Sequence, residues 1–339
     1  MTITKDHEVT REQPLLDESG RIAEPGWARR QIWKYDREKI RASAFRIRER
    51  DRYVVMGDEF GAVFTLADNG YFGLQSVSLA DFRDKRDHTE TMLSLFPMGK
   101  MKMPPSSSQG DVIWKDKRLR MEFRPDAGRR KILCDMKEFW QGKPFYCEIT
   151  LEQPESDSIV TAASRRGGKT FCYEQKINCM RAEGYLSFAD RTYWFDPEKD
   201  YGTLAWERSV TPWGGRRYWS SGSGTVGGKP FGFNIGSGPG DETGVCENMI
   251  FYDGIGHKIG GVEISASEND RMRPWTFMSG DGRFEMEFEP VMELSARRYA
   301  AVPSSGQRAV FGRMKGRAVL DDGRFIELKD FMCFAQKSA

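Results

Sequence analysis

Arg118-Leu119-Arg120-Met121-Glu122-Phe123-Arg124-Pro125 returns 165 residues later as Arg283-Phe284-Glu285-Met286-Glu287-Phe288-Glu289-Pro290. Five of the eight positions are identical; one difference exchanges apolar for apolar and two exchange charged for charged. Both copies alternate apolar and charged side chains. A strand turns successive side chains to opposite faces, so this period marks a ribbon with one buried and one wet face. The offset is close to half of the 339-residue chain. We read the octets as the same strand in two related β-domains arranged in tandem.

Outward from the octets the pattern stays β. Tyr53-Val54-Val55-Met56, Ala62 to Leu66 and Tyr71 to Leu74 are short apolar runs parted by Gly-Asp and Asp-Asn-Gly turns. Ser78 to Phe96 reads better as two strands than as a helix. Met103 to Ser108 is a loop, and Lys131 to Phe139 and Phe145 to Leu151 follow as strands. The second half repeats the rhythm at Phe171–Ile177, Arg216–Trp219, Phe231–Ile235, Met249–Tyr252, Lys258–Ile264, Phe284–Phe288, Ala309–Met314 and Phe325–Phe334. With 35 glycines and 15 prolines to turn the chain, an all-β fold is expected. A chain this long exceeds one ordinary core. We divide it into an N-terminal strap over 1–40, a first β-domain over 41–155 and a second over 156–339, with the boundary in the polar stretch Glu152 to Asp157.

Composition excludes several function classes. Lys+Arg is 52 and Asp+Glu is 50, a net charge of +2 with the signs interspersed. Nucleic-acid binders carry a basic excess or stripe, so no nucleic-acid partner is expected. No apolar stretch approaches the ~20 residues that span a bilayer. The start, Met1 to Glu8, lacks the apolar core of a secretory signal, and a cytoplasmic location is expected. The six cysteines form no Cys-x-x-Cys pair and read as reduced packing residues. Only His7, His88 and His257 are present, far apart, which argues against a histidine metal centre. No metal and no cofactor is expected.

Three motifs fail for want of context. Gly222-Ser223-Gly224-Thr225-Val226-Gly227 matches Gly-x-Gly-x-x-Gly, but Gly228-Lys229-Pro230 opposes the helix that a dinucleotide site needs, so a hairpin loop is expected. Gly167-Gly168-Lys169-Thr170 has Ala163 where a phosphate loop needs its first glycine. Asp321-Asp322-Gly323 reads as a hairpin turn between Val319 and Phe325.

Gln13-Pro14-Leu15-Leu16-Asp17-x-x-Gly20 with Pro25-Gly26-Trp27-Ala28-Arg29 resembles the opening of the bacterial family DUF2804. The stretch with Trp206, Trp213, Arg216, Tyr218 and Trp219, then Gly232 to Gly236 and Glu247-Asn248, adds to the likeness. The resemblance covers nearly the whole chain and brings no activity with it. More distantly the chain resembles hydroxyneurosporene-synthase-like and tocopherol-cyclase-like proteins. That likeness implies two lipocalin-like barrels handling lipophilic molecules, an argument from fold alone.

Asp190 to Asp253 holds four of the nine tryptophans among charged and amide side chains, the mixture a ligand cleft needs. We expect a lipophilic or amphipathic small molecule there, with Trp206, Arg208, Trp213, Arg216, Tyr218, Trp219, Asn234 and Asn248 as ligand-binding residues. Asn234 should lie on the strand face opposite Phe233 and Ile235. The competing reading is that the tryptophans fill a core and the charges face water. Glu207 and Glu247 are the candidate catalytic carboxylates. Buried beside tryptophan, either would serve as a general acid in a cofactor-independent hydratase- or cyclase-type lyase or isomerase. The competing reading is a structural Glu–Arg pair bridging strands. A further alternative is a carbohydrate-binding β-sandwich, which would need exposed, coplanar tryptophans.

Overall fold

The computed structural model describes residues 6–153, 155–165, 169–210, 217–237, 244–294 and 308–338. They form a thirteen-stranded sheet, a nine-stranded sheet and one two-stranded pair, with two single-turn 3-10 helices before the first long strand. The larger sheet begins as a meander of Ile47–Met56, Phe60–Asp68, Phe72–Asp81 and Arg86–Leu95. From Ile47–Met56 it continues through Tyr201–Val210, Thr170–Phe188, Lys143–Glu152, Arg129–Trp140, Leu119–Asp126 and Val112–Lys115. The smaller sheet repeats this plan with a meander of Arg217–Val226, Lys229–Ser237, Met249–Tyr252 and Ile255–Lys258. It then runs through Phe325–Ser338, Arg308–Val319, Phe284–Glu293, Trp275–Ser279 and Val262–Ser265. Both sheets curl. In the larger one His88 Nε2 meets the Phe139 carbonyl at 2.9 Å, tying the meander to the far strands.

Each sheet wraps its own core. Tyr53, Phe64, Phe123, Phe145, Tyr173 and Trp206 fill the larger, and Phe231, Phe233, Trp275, Phe284, Phe288 and Phe331 the smaller. A third cluster joins them: Val54, Met56 and Phe82 of the larger sheet pack on Met292, Phe311, Met332 and Phe334 of the smaller. The N-terminal strap sends Leu15, Leu16, Ile32, Trp33 and Tyr35 into the first core. Its Gly26–Ala28 strand pairs antiparallel with Val160–Ala162.

Two expectations change. The sheets do not divide near residue 155. Ile159–Arg165, Thr170–Phe188, Arg191–Phe195 and Tyr201–Val210 all belong to the larger sheet, which runs to Val210. The polar stretch before Asp157 is a connection within that sheet. The octets also fall on strands that do not correspond. The first lies on Leu119–Asp126, beside the edge strand; the second lies on Phe284–Glu293, two strands in from the edge. By position in the shared plan, Phe284–Glu293 corresponds to Lys143–Glu152. Backbone geometry agrees: Gly184, at φ +118°, sits against the Glu148 carbonyl, and Gly316, at φ +142°, sits against the Glu285 carbonyl. The tandem plan stands, while the octets share only the alternation of half-buried ribbons, with Met121 and Phe123, or Met286 and Phe288, inward. Other expectations match. Ser78 to Phe96 is part of two strands, and Val319 pairs with Phe325 across the Asp-Asp-Gly turn. Most of the Gly-x-Gly-x-x-Gly run is strand, and Gly227-Gly228 forms the two-residue hairpin loop. All six cysteines are free, five of them buried.

A methyl group at Gly184 or Gly316 meets neighbouring backbone in a conformation that L side chains rarely adopt. Gly184→Ala and Gly316→Ala should each cost about 2–4 kcal/mol in urea unfolding. A value near zero for either would remove the case that the two bulged strands correspond.

Candidate functional site

Tyr201–Val210 decides where the expected site residues go. It is buried along its whole length, one face toward the first core and the other toward the smaller sheet. Leu204, Trp206, Arg208 and Val210 point into the core, and Thr203, Ala205, Glu207 and Ser209 point outward. Trp206 and Arg208 are therefore separated from Glu207 by the sheet itself.

Trp206 is fully buried, edge-on to Tyr35 and Tyr173. The Arg208 guanidinium lies 4.2 Å from its ring centre. Arg208 donates to Asp51 Oδ1 at 2.8 Å, to the Glu207 carbonyl at 2.9 Å and to the Pro104 carbonyl at 2.7 Å. Beside it Tyr35 donates to Glu49 at 2.9 Å, and burial raises the Glu49 carboxyl against the pull of Arg208 and Arg37. These contacts lock the strap and the Pro104 loop onto the first sheet. Removing one partner of such a pair strands the other. Arg208→Met should cost about 3–5 kcal/mol, and Arg208→Lys should recover little, because a point charge cannot reproduce the fork. Thermal and urea unfolding would measure both; a neutral Arg208→Met would show the interior pair to be dispensable.

The outward face carries the chemistry. Register sets Arg50, Glu207 and Glu174 in one row across three strands, and Arg52, Ala205 and Lys176 in the next. Glu207 accepts from Arg50 and, at 2.8 Å, from Ser209 Oγ. Glu174 accepts from Cys172 Sγ at 2.9 Å and from Lys176 Nζ at 3.0 Å. Lys176 reaches across the junction to Glu247 Oε2 at 3.6 Å. Asn234 donates to the Glu247 carbonyl at 2.8 Å and to its Oε2 at 3.2 Å, and accepts from Trp219 Nε1 at 2.8 Å. The Trp219 ring is flanked by Lys176 at 5.4 Å and Arg52 at 5.6 Å, with Ala205 the small residue between them in register. Burial lowers both the Arg48 and Arg52 guanidiniums, the latter to about 9 with Arg50 adding to the push.

Glu207, Glu247, Trp219 and Asn234 thus come together at the junction of the sheets, and Asn234 lies opposite Phe233 and Ile235. Glu207 bridges strands as an ion pair with Arg50. Tyr218 faces the second core, edge-on to Trp275 at 6.1 Å. Asn248 clamps backbone, accepting from Gly236 N at 2.8 Å and donating to the Gly260 carbonyl at 3.0 Å. Trp213 and Arg216 lie outside the described residues. Donor atoms of Cys172, Glu174 and Glu207 fall within 4.8 Å of one another, a spacing that suits a metal ion. Lys176 and Arg50 already occupy the two carboxylates, so the arrangement reads as an ion-pair network. Sequence reading passed over Arg50, Arg52, Glu174 and Lys176. The charges at 48, 50 and 52, and at 174 and 176, recur every second residue and so fall on one strand face.

Two curled antiparallel sheets in tandem define the lipocalin-like class. The chain belongs to the family described as Domain of unknown function (DUF2804), whose model matches residues 6–339. Among solved structures it is similar to CghA crystallised with Sch210972, with a TM-score of 0.59 and 11% identity over 87% of this chain and 88% of that one. A putative AttH from Nitrosomonas europaea gives 0.55 and 11% over 91% and 97%. Kievitone hydratase from Nectria haematococca gives 0.55 and 9% over 85% and 88%. At these identities the likeness is one of fold. No curated protein matches the chain in sequence. Among the described residues no helix is long and apolar enough to cross a membrane.

Proposed function

We propose that the chain binds a lipophilic or amphipathic small molecule at the junction of its two sheets, and not inside either sheet. Both interiors are packed with aromatic and aliphatic side chains. The carrying observation is Trp219: a half-buried indole flanked by two cations, over a row whose middle residue is only an alanine. Flat apolar surface beside a few oriented polar groups is what small-molecule recognition uses. CghA, similar in fold, was crystallised with the small molecule Sch210972. Tryptophan fluorescence titrated with fatty and isoprenoid ligands should change with dissociation constants in about the micromolar range. Trp219→Phe should remove most of that signal and weaken binding about fivefold or more. No response to any ligand up to its solubility limit would end this reading.

A second reading, cofactor-independent acid–base chemistry of hydratase or cyclase type, has its own support. Lys176 links Glu174 to Glu247 in a buried setting, Glu207 lies directly across from Glu174 on the neighbouring strand, and kievitone hydratase is similar in fold. A carboxyl of Glu207 or Glu247 would deliver the proton, with Lys176 between the two acids' networks. Glu207→Gln and Glu247→Gln should then leave ligand binding within about threefold while lowering turnover by about 100-fold or more. Equal loss of binding and turnover would assign both carboxylates to structure alone. The carbohydrate face has less support: exposed Trp194 packs against Tyr185 at 5.1 Å, and Trp140 is stacked on His88 and Phe188.

A further inference from the structure

We infer that the junction ligand carries an anionic head group, a carboxylate, and that Arg52 is the residue that receives it. The inference rests on the junction being the binding site. It comes from a census of the charges there. Arg50 has Glu207, Lys176 has Glu174 and Glu247, and Arg208, through the sheet, has Asp51. Arg52 joins no ion pair formed by the described residues. Its cross-strand neighbours are Ala205 on one side and Thr65 on the other, neither able to carry charge. Its hydrogen bond goes from Nη1 to a neutral acceptor, Gln336 Oε1, at 2.6 Å, and its Nε is sealed from solvent without an acceptor.

Half-burying a guanidinium without a counter-ion is costly, and desolvation, with Arg50 nearby, lowers this one to about 9. An incoming anion would offset that cost. Gln336 fixes one arm of the fork, which leaves donors for a planar, two-oxygen acceptor. Trp219 lies 5.6 Å from the Arg52 guanidinium and packs edge-on against Phe334 at 4.8 Å, so an apolar body has an aromatic wall beside the charged end. The ligand chemistry is therefore an amphipathic acid: one carboxylate, with a hydrocarbon or ring system behind it.

The probes are matched pairs of straight-chain acids and alcohols of twelve, sixteen and twenty carbons, titrated against the full chain by calorimetry. The wild type should bind the best acid about tenfold tighter than its alcohol. Arg52→Gln should bring the acid down to the affinity of the alcohol and leave the alcohol within about twofold; Arg52→Lys should restore part of the preference. The ligand-free Arg52→Gln protein should melt at or above the wild-type temperature, because a half-buried charge without a counter-ion has been removed. Equal wild-type affinity for acid and alcohol, an acid preference that survives in Arg52→Gln, or a lowered melting temperature in that variant would each overturn the assignment while leaving small-molecule binding intact. Failure of every acid and alcohol to bind would overturn both.

Discussion

Glu174 and Glu207 face each other across neighbouring strands, both nearly sealed from solvent. Like charges set directly opposite repel, and the low polarity of a buried site sharpens the repulsion. Everything around them answers that constraint. Arg50 meets Glu207 from the next strand, and Lys176 meets Glu174 from two residues along its own. Lys176 is then drawn to Glu247, in the segment leading into the Met249–Tyr252 strand of the smaller sheet, and Asn234 holds Glu247 in place. The contact between the sheets is thus partly electrostatic, and it continues into the apolar belt of Val54, Met56, Phe311 and Phe334.

The fold class was legible because most strands have one wet face, and alternation records it. The central strands were harder. Tyr201–Val210 escaped notice since both its faces are covered and its side chains mix apolar, charged and hydroxyl types without a period. Ile159–Arg165 went the same way, and Phe171–Ile177, though legible as a strand, is buried on both faces and carries no sign that it belongs to the larger sheet. For the same reason Trp206, Glu207 and Arg208 looked like one cluster in the sequence. Recognising them as a strand would have sent the middle residue to the other side.

The octets show the limit of short repeats. Any half-buried ribbon wants apolar and charged residues by turns, so Met-Glu-Phe-x-Pro can arise on strands with different neighbours. The correspondence that survives lies in backbone shape. A ribbon irregularity recurs between Thr170–Phe188 and Tyr201–Val210, and again between Arg308–Val319 and Phe325–Ser338. Shared topology keeps such features after side chains have drifted.

The strap has a consequence beyond packing. Gly26–Ala28 lies along the outer edge of Ile159–Arg165, and residues 7–9 lie along the strap in turn, with Val9 N donating to the Trp27 carbonyl at 2.7 Å. An uncovered strand edge is an invitation to add another chain. Residues 7–9 and 26–28 therefore act as a selvedge on the woven sheet. A molecule clipped of them would be expected to self-assemble through that border, so proteolysis near the amino terminus would change the state of association without touching the junction of the two sheets.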